Sequence, residues 1–378
     1  LCEFVDACVI NHHLKWEYCV VDTTTRAASH STDSNVQNQV KRLIVWPGLP
    51  TRVLVDVDKI KRVINIKFCS SLSLTAECND AADLWDTSAD MTDRISRIII
   101  VGGGSAGWLS AGVIAAEHCI DTQSEQPFEL VLIESPDVPT IGVGEGTWPS
   151  MRATLERIGL SETDLIRECD ASFKQGTYFR DWHTGNGDTY SHPFTVPAGY
   201  AETNLAPHWL AQSDTPPFAD AVTPQTALFA DCLAPKQITT PEYAFMVNYG
   251  YHLDAGKFAE LLRQHCTEQL GVKHIKANVT QINSADNGDI QSVTTDSAGT
   301  IAVDLFIDCT GTSCLLLGEH FEIPFQSQQR YLFNDTALAA QVPYTEEDQA
   351  IQSCTHSTAQ TAGWIWNIGL PTRRGIGH

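Results

Sequence analysis

Positive charge is the first scarcity. Against 46 Asp and Glu, the 378 residues hold only 24 Lys and Arg, a formal net charge of -22. Such a surface repels phosphate backbones and anionic lipid headgroups, so neither nucleic acid nor a membrane is an expected partner. Long apolar runs are lacking too. No stretch of about 18 apolar residues is available for a transmembrane helix, and no basic start followed by an apolar segment marks a secretory signal. Metal-ligand spacing is also missing: the 12 cysteines contain no Cys-x-x-Cys pair, and the adjacent His12 and His13 read as structural. No metal site is expected. Cysteines scattered without a framework in a chain this long point to reduced thiols and a cytoplasmic location.

Methionine is nearly absent, with 3 in the chain and none before Met91. Residues 1–90 hold five cysteines and little periodicity beyond two β-like runs, "RVLVDVDKI" and "RVINIKF". Immediately after them, "MTDRISRIIIVGGG" has the form of a natural start, a short polar lead into a strand. The expected organisation is therefore a leader over 1–90, read as upstream translation rather than a designed domain, and one functional domain over 91–378.

That domain opens on chemistry. Ile98 to Val101 is a short apolar run bounded by glycines, the pattern of a parallel strand buried on both faces. Gly102-Gly103-Gly104-Ser105-Ala106-Gly107 follows and fits G-x-G-x-x-G, with an Ala-rich helical stretch after it. In that motif Gly102 allows the tight turn, Gly104 admits a pyrophosphate close to the backbone, and Gly107 lets helix pack on strand. Ser105 and Ala106 lie where free helix N–H groups and a positive dipole end meet the phosphates. A second strand, "FELVLIE", ends in Glu134, which can accept hydrogen bonds from ribose hydroxyls. The polar stretch "DTQSEQPF" reads as a loop before it. Much further on, "VDLFIDCTGTS" runs from a strand into Asp308 and Gly311. A late return to the cofactor layer of this kind favours FAD over a simple NAD fold. Gly142, Gly144 and Gly146 alternate around Val143, Glu145 and Thr147, a segment too glycine-rich for a helix. It is expected to be a mobile loop approaching a ligand, although Glu145 alone also reads as a solvated acid.

Several segments in order, from Met91 to the last residue, resemble the flavin-dependent tryptophan halogenases. They are "GGGSAGW", Gly142-Val143-Gly144-Glu145 with Thr147 and Pro149, "ASFKQGTYFRDW", "YHLDAGKFAELL", "DLFIDCTG", "LFND" and Trp364-x-Trp366-x-Ile368. The sequence departs from the family at Gly146 and Trp148, where Ala and Ile are frequent, and at Gly369, where Pro is usual, which marks a divergent branch. The resemblance implies an α/β fold: an FAD-binding Rossmann-like layer, like that of the flavoprotein monooxygenases, with an intertwined substrate-binding part. It implies FADH2- and O2-dependent halogenation, with chloride or bromide, of tryptophan or another indole-type aromatic. Hypohalous acid would pass through the protein to a separate substrate pocket.

The family's essential lysine matches Lys174, set in sequence beside Phe173, Tyr178, Phe179 and Trp182. An ammonium can hydrogen-bond hypohalous acid, and a neutral amine can form a haloamine; burial moves the pKa toward either use. His192 and Phe194 match the family's pocket-lining His-x-Phe. Trp364 and Trp366 match indoles that separate flavin from substrate. A separate NAD(P)H-dependent flavin reductase is implied as partner, since no second dinucleotide fingerprint is present. The oligomeric state stays open, a homodimer being one option. The family also carries a Glu-Ser-Thr-Gly segment and a glutamate that works with the lysine; neither is found here, so the chain is expected to be incomplete at its C-terminus. The rival readings are an FAD-dependent aromatic monooxygenase and an inactive FAD-binding fragment.

Overall fold

Ile98 to Val101 buries both of its faces, as a parallel strand should. Alternate residues enter different cores: Ile98 and Ile100 join Leu130, Leu132 and the helices, while Ile99 and Val101 join Val131, Ile133 and Phe306. The computed structural model describes residues 63–65, 95–118, 128–139, 142–346 and 349–378. The rest of the expected leader, its five cysteines, the "RVLVDVDKI" run, the start at Met91 and most of the "DTQSEQPF" loop lie outside the described residues. Within 1–90, Val63–Asn65 forms a strand pairing in parallel with Phe306–Asp308.

Five parallel strands form the first sheet, in the order Val63–Asn65, Leu305–Asp308, Arg97–Val101, Glu129–Glu134, Lys273–Lys276. Helices Ser105–His118 and Ala255–Glu268 pack on one face. The second helix begins as expected at Asp254, whose carboxylate accepts the Lys257 N–H at 3.0 Å. Its buried residues Ala255, Phe258, Ala259, Leu262 and Cys266 keep helical spacing. The other face is covered by an antiparallel meander, Val279–Ser284, Ile290–Thr295 and Gly299–Ala302. Its turns fall at the expected Asn-Gly and Ala-Gly pairs, where Gly288 and Gly299 take positive φ. The fold is α/β with a Rossmann-like layer.

A second part is threaded through the first. One small sheet pairs Glu145–Gly146, Gly250–Leu253 and Ser172–Lys174, in that order. A six-stranded sheet runs Ala339–Pro343, Arg373–Gly377, Gly363–Gly369, Thr355–Gln360, Gly176–Arg180, Thr189–Pro193. The chain crosses between them at Gln175, which is fully buried. Its N–H donates to Ser353 O at 2.8 Å and its side-chain amide to Leu233 O at 2.7 Å, while its carbonyl accepts the Phe194 N–H at 2.9 Å. Lys174 therefore ends one sheet, and Phe194 is held beside it by the same pivot.

Beneath the small sheet lies a buried ion pair. Lys236 Nζ stands 2.5 Å from Glu162 Oε2, and Glu162 Oε1 accepts the hydroxyls of Tyr249 at 2.5 Å and Tyr251 at 2.7 Å. Both oxygens of this carboxylate are thereby partnered, which is the condition for burying a charge. Among the described residues no helix is long and apolar enough to cross a membrane.

Candidate active site

The glycine turn has the geometry that dinucleotide binding requires. Gly102 takes a φ of +115° and donates its N–H to Ile133 O at 2.8 Å. A Cβ on Gly102 would stand 2.2 Å from Cys309 O, and one on Gly107 would stand 1.8 Å from Gly102 O. Neither position accepts a side chain. Around Gly104 and Gly311, by contrast, a Cβ would meet nothing within 4 Å. Gly102, Gly104 and Ala106 stay half-exposed, and the buried Ser105 hydroxyl has no hydrogen-bond partner among the described residues. An open cradle, a free hydroxyl and the N-terminal N–H groups of a 14-residue helix fit the pyrophosphate of a dinucleotide such as FAD.

Glu134 ends its strand as expected, but it is engaged: its Oε2 lies 2.7 Å from His274 Nε2. Burial holds the His274 imidazole below its ordinary value, against the pull of Glu134. Gly103 belongs to this arrangement, because a Cβ there would stand 2.2 Å from Glu134 Cγ. Sequence reasoning missed His274 and Gly103; strand pairing beside Glu134 and a third consecutive glycine were the available signals. The Asp308 carboxylate turns inward to its own loop, accepting N–H groups from Thr310, Leu316 and Leu317 and the Thr310 hydroxyl at 2.6 Å. It shapes the turn that presents Gly311.

Part of the segment expected as a mobile loop forms a strand edge instead. Glu145 and Gly146 pair with Leu253 and His252. Thr147 is fully buried, its N–H donating to Tyr251 O at 2.8 Å and its hydroxyl accepting the Tyr251 N–H at 2.9 Å. Its side chain is thus used by the fold. Backbone pairing to a buried strand overrides the local preference of a glycine-rich segment for loop. The segment is also clasped from the C-terminal strand: Arg373 donates to Val143 O and pairs with Asp254 at 2.6 Å. Gly142 abuts Ala255, and Gly144 lies against Ile368, Leu370 and Gly375.

Glu145 and Lys174 act on each other. Burial pulls the Lys174 amine down to about 8, opposed by Glu145 and by Cys354. Burial likewise pushes the Glu145 carboxyl up to about 8, opposed by Lys174. Lys174 is 5% exposed, and a Cβ on Gly146 would stand 2.7 Å from its Nζ. Two rings approach the amine, Phe194 at 5.6 Å and Trp148 at 5.9 Å from the ring centroids. These are not the aromatic neighbours in sequence. Phe173 packs against Tyr249 with centroids 5.1 Å apart, and Phe179 stacks on Tyr190 at 4.8 Å. Trp182 reaches Trp364 at 6.0 Å and donates its indole N–H to Ser357 O. Strand alternation and the pivot at Gln175 explain the division. Trp148 was missed as a site residue, and its only signal was its departure from the family pattern.

His192 is exposed on the strand Thr189–Pro193, opposite Thr177. The two tryptophans share one cluster with Ile368 and Leu370, as period-two spacing implies, but are unequally covered. Trp366 is buried, with its ring over Gly377, whereas Trp364 is half-buried against Trp182. The same strand carries Ile368 and leads into Leu370, both of which would lie within 3.7 Å of a Cβ on Gly144 in the glycine segment.

A parallel sheet, a glycine turn opening a helix and an acid closing the next strand define a Rossmann-like dinucleotide-binding class. The tryptophan halogenase family model matches residues 97–378, and the chain belongs to that family. Tryptophan 7-halogenase RebH of Lentzea aerocolonigenes is 31% identical over 305 residues, 76% of this chain and 56% of the relative. The solved tryptophan halogenase of Shewanella frigidimarina NCIMB 400 has a TM-score of 0.73 and 54% identity, over 75% of this chain and 56% of that one. Tar14, a tryptophan C-6 flavin-dependent halogenase from taromycin biosynthesis, has a TM-score of 0.68 and 34% identity, over 75% of this chain and 56% of that one. The chain thus spans just over half the length of these relatives.

Proposed function

We propose that this chain forms the flavin-binding layer and lysine-bearing wall of an FADH2- and O2-dependent halogenase acting on tryptophan or another indole-type aromatic. The observation that carries this reading is the buried Lys174 amine, brought down to about 8 and flanked by two aromatic rings within 6 Å. Gly104, Ser105, Ala106 and Gly311 would hold the pyrophosphate side of FAD, with Glu134 at the ribose. Reduced FAD, once bound, supplies with oxygen and halide the oxidising equivalent of hypohalous acid.

The residues of this chain then do the directing. The Lys174 ammonium donates a hydrogen bond to the oxygen of HOX, which polarises the O–X bond. An indole carbon attacks the halogen, the O–X bond breaks, and the Lys174 proton turns the leaving hydroxide into water. The ring carbon gives its proton back to the neutral Lys174 amine, directly or by way of Glu145, so the net change is Ar–H plus HOX to Ar–X plus water. Glu145, with its carboxyl at about 8, is matched to exchange a proton with Lys174. Phe194 offers a face for stacking the indole, with His192 at the rim. Trp364 and Trp366 would keep substrate away from the flavin. FADH2 would come from a separate NAD(P)H-dependent flavin reductase.

The test is halide incorporation by a protein of the relatives' full length that carries this chain, followed by mass spectrometry, with FAD, a flavin reductase, oxygen, bromide or chloride, and tryptophan or indole. Halogenated product is expected, and a loss of at least a hundredfold in Lys174→Ala. Halogenation at the wild-type rate by Lys174→Ala would remove the lysine from the mechanism. Hydroxylated product formed with NADPH and no reductase would point to a monooxygenase.

A further inference from the structure

We propose that Trp148 is the gate of the Lys174 pocket and selects which aromatic enters it; this rests on the reading of Lys174 as the residue that presents hypohalous acid. The amine is closed off on most sides. Gly146 lies against it, its strand pairs with buried Gly250, and Phe194 is half-buried. Trp148 is different: 45% exposed, it carries its ring within 5.9 Å of the amine while still meeting solvent. Its ring leans on Phe194, with centroids 5.4 Å apart and planes 43° apart.

That placement has a direct consequence. The Trp148 ring, the Phe194 ring and the amine lie within 6 Å of one another, so an indole-type substrate stacking on Phe194 beside the amine would meet the Trp148 indole. Ring and substrate compete for one position, so substrate enters only when Trp148 swings aside. The swing is confined to the side chain. Thr147 is tied to Tyr251 by two hydrogen bonds, and Pro149 follows with fixed φ, so the backbone on either side stays in place. Once displaced, the indole becomes a second wall, and the slot between it and Phe194 admits a flat two-ring aromatic. Substituents that stand out of the ring plane meet the displaced indole and are rejected.

Access to Lys174 can be read without any halogenation. Trinitrobenzenesulfonate at pH 8.5 modifies accessible amines, and peptide mass spectrometry quantifies the adduct on Lys174. Trp148→Ala should raise the Lys174 labelling rate at least tenfold. Trp148→Phe, which keeps a planar ring against Phe194, should stay within about threefold of wild type. Trp148→Leu keeps apolar bulk without a plane and should behave like Trp148→Ala, which guards against a folding defect in one variant. In turnover, Trp148→Ala should narrow the ratio of KM values between an indole with a bulky out-of-plane substituent and indole itself. Equal Lys174 labelling in wild type, Trp148→Ala and Trp148→Leu, with melting temperatures unchanged, overturns the gate. Faster labelling in proteins that never halogenate leaves the gate standing and overturns the proposed function instead. Halogenation with unchanged labelling does the reverse.

Discussion

A Cβ on Gly107 would stand 1.8 Å from the carbonyl oxygen of Gly102, closer than any non-bonded contact allows. The helix Ser105–His118 can meet its preceding strand only because both positions are glycine. Gly104, in the same turn, has open space where its Cβ would be. The two glycines therefore separate folding from cofactor binding. Gly107→Ala is expected to destabilise the fold by about 1–3 kcal/mol or more, the range for forced overpacking. Gly104→Ala should leave the melting temperature of the cofactor-free protein unchanged and weaken FAD binding at least tenfold. Flavin-fluorescence titration beside thermal melts measures both, and unaltered FAD affinity in Gly104→Ala would remove the turn from the cofactor site.

Lys174 should make stability depend on pH with a definite sign. Its folded value of about 8 lies below the ordinary 10.5, so the unfolded chain binds more protons between those limits. Stability contributed by this residue therefore rises as pH climbs from about 8 to 10.5. Lys174→Met removes the buried amine. It should be more stable than wild type at pH 7, by about 1–3 kcal/mol, with the advantage gone above pH 10.5. Glu145 acts oppositely: its raised value makes stability fall between pH 4.5 and about 8, so Glu145→Gln should flatten that decline. Urea unfolding across pH 5–11 distinguishes these slopes.

The buried pair of Glu162 and Lys236 should be among the costliest sites to break. Both side chains are under a tenth exposed, and Glu162 also serves Tyr249, Tyr251 and the Tyr243 N–H. Burial would raise its carboxyl, but the Lys236 and tyrosine hydrogen bonds outweigh this and hold it below the usual range. Its contribution is thus present above pH 4.5 and lost as pH falls through the depressed value. Glu162→Ala strands the Lys236 charge and should cost about 3–5 kcal/mol at pH 7 by urea unfolding. A smaller loss at pH 3 than at pH 7 is the accompanying signature.

The two tryptophans of one motif should differ when truncated. Trp366→Ala empties a buried site over Gly377 and is expected to cost about 3–5 kcal/mol. Trp364 is half-buried against Trp182, so Trp364→Ala should cost less than half as much. Equal losses in thermal and urea unfolding would contradict the unequal burial.

Much of the cofactor layer was legible because its signals are local. The apolar run at Ile98, the glycine turn, the cap at Asp254 and the turns at Gly288 and Gly299 each express a dihedral or periodic preference within a few residues. Lys174 was legible through resemblance. Trp148 was not, since the partners that give it meaning are Lys174 and Phe194, joined through pairings among Glu145–Gly146, Gly250–Leu253 and Ser172–Lys174. Nothing local shows that Thr147 bonds the Tyr251 backbone through both its N–H and its hydroxyl.

By itself, then, the sequence determined several strands of the parallel sheet, which turn can approach a phosphate and, through resemblance, which lysine to examine. The strands and the turn follow from local periodicity and backbone sterics, which act between near neighbours. Only the tertiary structure decided that Lys174 is buried where it senses Glu145, that Trp148 and Phe194 stand within 6 Å of it, and that Trp366 is buried more deeply than Trp364. Those properties depend on desolvation and ring packing among residues far apart in the chain, and they exist only once the sheets have closed.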